Sequence, residues 1–227
     1  MNKANFIWIE RASKSEFVAS VWFCSASIAT IRPVLADPCI SLSFIKYDNN
    51  MEVVLRGPET KPREELLASG YECTTVRLLP GVLVQGFSAQ KFLNRSLAFP
   101  FDSEGQFLFG KNRLQFPNYN NAELLIDQLY NLNYLRREVL KSSNSQSTKI
   151  LSSRSYARLI KHNTGLSPYQ LHQLERIHKA LRLLKQGIPT STVAAELNFV
   201  DQSHLTHATR QFLGYTPKQL LYVPQIP

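Results

Sequence analysis

Two seven-residue stretches, GLSPYQL at residues 165–171 and GYTPKQL at residues 214–220, follow nearly the same pattern. In each stretch the glycine suits the end of a helix, because glycine readily enters the left-handed conformation of a C-terminal cap. The Ser or Thr suits an N-cap, the Pro suits the first helical position, and the Gln completes a capping box. Each stretch therefore predicts a corner at which one helix ends and the next begins.

The repeat continues upstream of both corners. SSRSYARLIKHNTG at 152–165 aligns with DQSHLTHATRQFLG at 201–214 at the same offset. On a helical wheel each segment has one apolar side and one side rich in hydrogen-bond donors. The donor side carries Arg154, Arg158 and Lys161 in the first segment, and Ser203, His207 and Arg210 in the second. We predict two similar helices, at about 152–164 and 201–213, each with its donor side exposed.

The segment between the repeats predicts a connector and a helix-turn-helix. Residues 168–186 carry a leucine-rich apolar stripe, and a helix of that length spans roughly 28 Å. This approaches the roughly 34 Å between successive major-groove faces of DNA. PTSTVAAELNFVD at 189–201 predicts a short helix, capped by Thr190 or Ser191, and a tight turn at Asn198. A short helix, a tight turn and a donor-rich helix form a helix-turn-helix.

The positive charge of the chain is concentrated in this last part. The formal net charge is +9, and residues 141–227 carry 11 Lys and Arg against three Asp and Glu. All five histidines also lie there. A basic surplus confined to one module is the electrostatic signature of nucleic-acid binding. The sequence therefore favours double-stranded DNA as the partner.

The N-terminal part predicts strands followed by one helix. CISLSFIKY and MEVVLRG alternate in hydropathy around DNN at 48–50 and predict a hairpin. TTVRLLPGVLVQGF predicts a second pair of strands separated at Pro80–Gly81. Residues 120–140 predict a helix whose apolar stripe has nearly heptad spacing. That stripe packs either on its own domain or on a second copy of the chain in a homodimer.

KSSNSQSTK at 141–149 is polar and predicts a linker or a weak helix between two domains. The resulting fold class is α+β, with a β-rich N-terminal domain and an all-α domain of two helix-turn-helix units joined by a long helix. We divide the chain into a β-rich sensor or assembly domain (1–118), a helix and linker (119–149) and the DNA-binding domain (150–227).

Residues 150–221 resemble the paired helix-turn-helix domain of the AraC/XylS family of bacterial transcription regulators. The resemblance is carried by RSYARLIKHNTGLSP, LERIHKALRLLKQG and VAAELNFVDQSHLTHATRQFLGYTPKQL. It implies that two recognition helices enter successive major grooves. By position, the DNA-binding residues it implies are Ser153, Arg154, Arg158, Lys161, Gln202, Ser203, His204, Thr206, His207 and Arg210. Lys161 and Arg210 are better placed for phosphates than for bases.

The chain departs from the family pattern in three places. Thr209 and Asn163 stand where apolar core residues are usual, and SNSQSTKIL at 143–151 lacks the pattern of a positioning helix. An alternative is therefore that the domain has lost the ability to recognise a DNA sequence, and that the protein acts by contacting another regulator. Before the domain, DPCISLSFI, LRGPETKP and VRLLPGVLVQGF follow the layout of an uncharacterised β-rich domain that often precedes it.

Other chemistry finds little support in the sequence. No nucleophile elbow or glycine-rich phosphate loop is present, so we predict no catalytic residue and no enzyme. Cys24, Cys39 and Cys73 are widely spaced, which argues against a zinc site and a disulfide framework. We expect no metal and no cofactor.

We also expect no signal peptide and no membrane span, since no apolar run is long enough for either. A cytoplasmic location follows. The expected partners beyond DNA are a small-molecule effector at the N-terminal domain and, for an activator, RNA polymerase.

Overall fold

A computed structural model of the chain describes residues 5–102, 104–138 and 152–222. The N-terminal region is β-rich and the C-terminal region is helical, which confirms the predicted fold class. The strands are β1 (Phe6–Ala12), β2 (Val18–Ala26), β3 (Thr30–Val34), β4 (Ser41–Tyr47), β5 (Asn50–Arg56), β6 (Arg63–Leu67), β7 (Tyr71–Leu78), β8 (Val82–Val84), β9 (Ser96–Phe99), β10 (Phe107–Phe109), β11 (Asn112–Leu114) and β12 (Leu135–Arg137). The helices are α1 (Ala122–Asn131), α2 (Ser153–Thr164), α3 (Pro168–Lys185), α4 (Thr190–Glu196), α5 (Gln202–Leu213) and α6 (Pro217–Leu220).

A six-stranded antiparallel sheet with the order β1-β2-β7-β4-β5-β9 organises the N-terminal region. The predicted hairpin is confirmed as β4 and β5, which pair from Ser41↔Arg56 to Tyr47↔Asn50. Asp48 in the turn has a φ of 50°, in the left-handed region that Asp tolerates in turns. Because side chains alternate across a strand, each face of the sheet buries its own set of apolar residues.

The two faces of the sheet are covered by different elements. On one face Leu42, Phe44 and Val76 pack with α1 in the larger core. On the other face Cys24 and Cys73, which are direct cross-strand partners, pack with Leu67 of the two-stranded β3–β6 sheet. The apolar residues of this second face are therefore enclosed between the large sheet and the β3–β6 pair.

The helix predicted over residues 120–140 is wrong at its C-terminal end. It stops at Asn131, and Asn133 takes a φ of 61°, a left-handed conformation that ends the helical path. Leu135 then begins β12, which pairs with β8. The buried part of the stripe, Leu125 and Leu129, packs in the N-terminal core, so these two side chains are not available to a second copy of the chain.

The second pair of strands is also corrected. Strands β7 and β8 lie on either side of Pro80–Gly81 as predicted, but they do not pair with each other. Strand β7 lies between β2 and β4, whereas β8 pairs with β12 about fifty residues later. A turn signal locates the break in the chain but does not specify which strand the next one joins.

The C-terminal helices have the predicted bounds to within about one residue. Both corners carry the expected caps: Gly165 and Gly214 have φ values of 73° and 80°, and Ser167 and Thr216 form full capping boxes. The cap expected at Thr190 or Ser191 is wrong, because α4 already begins at Thr190, after Pro189, with no side-chain cap.

The sequence places a linker at 141–149 and lacks the pattern of a positioning helix at 143–151. Both segments lie outside the described residues. Within residues 5–102, 104–138 and 152–222, no helix is long and apolar enough to cross a membrane. The same residues contain no group of three or more His, Cys, Asp or Glu side chains arranged to hold a metal ion.

Candidate nucleic-acid interface

Helix α2 is held by local caps at both ends. The Ser152 side chain accepts a hydrogen bond from the Ser155 N–H at 3.2 Å, and the Gly165 N–H donates to Lys161 O at 3.0 Å. Ile160 is completely buried, so the side of the helix that carries it faces the core. Four residues predicted to bind DNA are exposed on this helix: Ser153, Arg154, Arg158 and Lys161.

Helix α5 is positioned by the tight turn before it. Asn198 has a φ of 56°, as the sequence predicts, and Asp201 accepts from the His204 N–H at 2.7 Å as the N-cap. Leu205 and Leu213 are completely buried and anchor the helix on the core beneath α3 and α4. The opposite side of α5 is thereby directed to solvent.

Five of the residues predicted to bind DNA come together on that exposed side of α5. They line one shallow depression: Gln202, Ser203, Thr206, His207 and Arg210. Thr206 is half-buried and its hydroxyl donates to Gln202 O at 2.9 Å, so its methyl group and oxygen lone pairs are what remain available. The depression presents donors from Arg210, Gln202 and His207 to solvent.

His204 occupies a different environment from these five. Its Nδ1 accepts a hydrogen bond from the Val200 N–H at 3.3 Å, and its ring meets the Phe199 ring edge to face at 5.3 Å. The side chain is therefore engaged with the turn before α5. This geometry favours a role in holding the turn, although the sequence assigned His204 to base contact.

Arg176 of the connector helix α3 supports the turn before α5, a contact that the sequence did not predict. Its guanidinium lies 3.6 Å from the centroid of the Phe199 ring, which is a close cation–π contact. Phe199 therefore packs between Arg176 and His204 and fixes the turn. The basic residue in the middle of α3 was the only available signal, and the wheel alone does not distinguish a stacking arginine from a solvated one.

Two of the three departures from the family pattern lie among the described residues, and each side chain forms a hydrogen bond. Thr209 is completely buried, and its hydroxyl donates to Thr206 O at 3.0 Å, so no polar hydrogen is stranded. Asn163 is 1% exposed, and its Nδ2 donates to the Glu138 carboxylate at 2.6 Å, whereas its Oδ1 has no partner among the described residues. Asn163 thus ties α2 to the end of the N-terminal region.

A short N-terminal segment after β3 contacts both halves of the helical domain. The Ala36 N–H donates to Phe212 O at 3.2 Å, near the end of α5, and Ala36 O lies 2.6 Å from the His178 Nε2 on α3. Ala36 is completely buried in a cluster with Ile160 of α2. One residue of the β-rich region therefore touches the connector and the packing of both donor-rich helices.

The same segment closes a cavity between the large sheet and the two-stranded β3–β6 sheet. The cavity has a volume of about 100 Å³. Trp8 and Trp22 stack in its wall with ring centroids 4.3 Å apart, and the buried Trp8 Nε1 has no hydrogen-bond partner within the described residues. Asp37 and His178 also line it, so the cavity reaches from the sheet to the helical domain.

The electrostatics of this contact lower two pKa values. Burial acts to raise the pKa of Asp37, but the positive charges of Arg77 and His178 outweigh it and bring the pKa to about 2. Burial lowers the pKa of His178, and Arg77 and Arg182 lower it further, against the opposing effect of Asp37. At neutral pH the contact therefore contains an Asp37–Arg77 ion pair beside a neutral imidazole.

Capped donor-rich helices, a helix-turn-helix and a concentrated positive charge define a DNA-binding protein of the helix-turn-helix class. Residues 150–221 match the model of a family described as a helix-turn-helix domain, and this segment is an AraC-type domain, which confirms the resemblance seen in the sequence. The helical region is accordingly a helix-turn-helix domain of the DNA-binding class.

Solved structures of ToxT from Vibrio cholerae are similar over nearly the whole chain. Unsaturated fatty acid bound wild-type ToxT of strain SCE256 has 11% identity and a TM-score of 0.42, with 98% of this chain and 97% of that chain covered. ToxT from strain O395 bound to (E)-4-(8-methylnaphthalen-1-yl)but-3-enoic acid has 10% identity and a TM-score of 0.40, with 98% and 100% covered. Likenesses at these scores carry no functional information for this chain. A comparison with curated proteins found no match.

Proposed function

We propose that α2 and α5 are the two recognition helices and that they enter successive major grooves of one DNA site. The observation that carries this proposal is the pair of capped helices with buried apolar sides and exposed donor sides, joined by an 18-residue helix. At 1.5 Å per residue that connector is about 27 Å long, close to one turn of DNA.

The residues divide by the contact that each is suited to make. Arg154 and Arg158 on α2, and Gln202 and His207 on α5, are exposed side chains with donors that match base edges in the major groove. Lys161 and Arg210 lie nearer the C-terminal ends of their helices and supply salt-dependent contacts to phosphates. Ser153, Ser203 and Thr206 add shorter polar contacts on the same sides.

The experiment is a mobility-shift titration on a duplex selected by the wild-type protein from a randomised library. Arg158→Ala and His207→Ala should each weaken the selected site by about 1–3 kcal/mol relative to random DNA. Lys218→Ala removes an exposed cation of α6 and serves as the matched control. Variants that bind the selected site as wild type does would refute the assignment of these residues.

The alternative, a module with decayed reading that acts through another regulator, predicts a different outcome. In that case the randomised library yields no enriched sequence, and retention of random DNA changes little with salt. The satisfied hydroxyl of Thr209 and the bonded amide of Asn163 favour DNA reading, because neither departure leaves α2 or α5 without support.

We also propose that a small-molecule effector binds in the cavity beside Trp8. The unpartnered indole N–H favours a ligand with a hydrogen-bond acceptor, and about 100 Å³ leaves room only for a small group unless the β3–β6 sheet moves. The chain has two tryptophans, both in this wall, so intrinsic fluorescence reports the site. A compound that changes DNA affinity without changing that fluorescence would place the effector elsewhere.

Self-association, contact with RNA polymerase and a cytoplasmic location stay predictions. Sedimentation of the free protein and of its DNA complex measures the first. Transcription in vitro with and without the protein measures whether polymerase is recruited.

A further inference from the structure

A groove lies beside α2, between two segments of the N-terminal region. Residues 83–89 and 91–92 form one wall and residues 133–136 form the other, and His162 of α2 completes it. Its volume is about 560 Å³. The groove therefore joins the β-rich region to the helix proposed to read DNA.

The lining of the groove is basic. Lys91, Arg136 and His162 contribute donors, and none of the described residues that line the groove is acidic. Lys91 is exposed, and the Arg136 side chain is 71% exposed; within the described residues it forms one ion pair, to Glu138 at 3.4 Å. An exposed pair of that kind contributes little to stability, so Arg136 is free to exchange Glu138 for another anion.

The groove is fixed relative to the outward side of α2. His162 follows Arg158 by one turn and lies about 40° further round the helix. Gly165 packs so closely on the N-terminal region that a Cβ there would lie 2.7 Å from Ala89 O. Asn163 is bonded to Glu138 at 2.6 Å. These contacts hold both walls against the same end of α2.

From this placement we propose that Lys91 and Arg136 of the N-terminal region contact the phosphates of DNA that flanks the site bound by α2. The inference rests on the proposed function, since it takes α2 to lie in the major groove. Phosphates border the groove on both sides of a bound helix, and a cationic surface beside the helix end meets the next part of the backbone. The DNA footprint then extends beyond the helical domain.

The test uses the full chain and two labelled duplexes that carry the same selected site. One duplex ends at the site and the other extends it by about ten base pairs, or one helical turn, on each side. Affinity is measured at several KCl concentrations, because each phosphate contact contributes about −0.9 to the slope of log K against log salt. The variant is Lys91→Ala/Arg136→Ala, and the matched control is Lys46→Ala/Arg113→Ala, which removes the same charges from exposed positions that do not line the groove.

On the long duplex, the slope of log K against log salt for the Lys91→Ala/Arg136→Ala variant should be less negative than that of wild type by about 1.8. The variant on the short duplex, and the control variant on either duplex, should show no such change. An unchanged slope on the long duplex, or an equal loss in the control, overturns the proposal. A wild-type protein that selects no site and binds without salt dependence contradicts the proposed function and this surface with it. If the wild-type protein selects a site but the slope of the Lys91→Ala/Arg136→Ala variant is unchanged, only the proposed contact of Lys91 and Arg136 with flanking DNA is contradicted.

Discussion

At the scale of the residue, a buried or engaged polar group shows its role through its partners. His204 lies in the exposed row of α5 by sequence, but its Nδ1 and ring are committed to Val200 and Phe199. Asn163 looks like a defect in the core by sequence, and in the structure it bonds Glu138. The residue type alone predicts neither partner, because both depend on where the backbone places a neighbour.

We expect His204→Ala to destabilise the helical domain by about 1–2 kcal/mol, since it removes an acceptor of a backbone N–H and an edge-to-face ring contact. Urea unfolding measures this, with the exposed Gln211→Ala of the same helix as the control. A loss no greater than that of the control would mean that His204 is free to contact bases.

At the scale of the element, local signals predicted the helices well. Both corners were predicted from their Gly, Ser or Thr, Pro and Gln residues, because caps depend on a few neighbouring positions. The end of α1 at Asn131 and the pairing of β8 with β12 were not predicted. The end of α1 depends on the left-handed conformation of Asn133, and the pairing of β12 depends on a strand about fifty residues earlier in the chain. The apolar stripe in the sequence continues past Asn131 and therefore marks neither feature.

Substitution of two glycines distinguishes the free-energy cost of a strained left-handed cap from the cost of a disrupted tertiary contact. Gly165 and Gly187 have φ values of 73° and 82°, but only Gly165 has N-terminal backbone near its missing Cβ. Gly187→Ala should cost about 1–2 kcal/mol from backbone strain alone. Gly165→Ala should cost clearly more, because the Cβ would also collide with Ala89. Equal losses in urea unfolding would show that the two regions do not touch there.

At the scale of the whole molecule, Ala36 contacts both the connector helix, at His178, and the end of α5, at Phe212. His178 also lines the cavity beside Trp8. The sequence predicted a β-rich region and a helical region but not this contact, which joins residues more than a hundred positions apart.

The pH dependence of stability reports on this contact. The pKa of His178 is lowered in the folded chain, so the unfolded chain takes up the proton first as the pH falls. The contribution of His178 is therefore complete above its ordinary pKa of about 6.5 and is lost as the pH falls below that value. Between pH 7.5 and 5.5, thermal unfolding of wild type should shift down further than that of His178→Gln. Equal shifts would mean that His178 is solvated.

The most direct test of two recognition helices in successive major grooves is dimethyl sulfate protection of guanine N7 on a selected duplex. The account predicts two clusters of protected guanines about one helical turn apart on the same face of the DNA, with Arg158→Ala weakening one cluster and His207→Ala weakening the other. A single cluster, or two clusters on opposite faces, would contradict it.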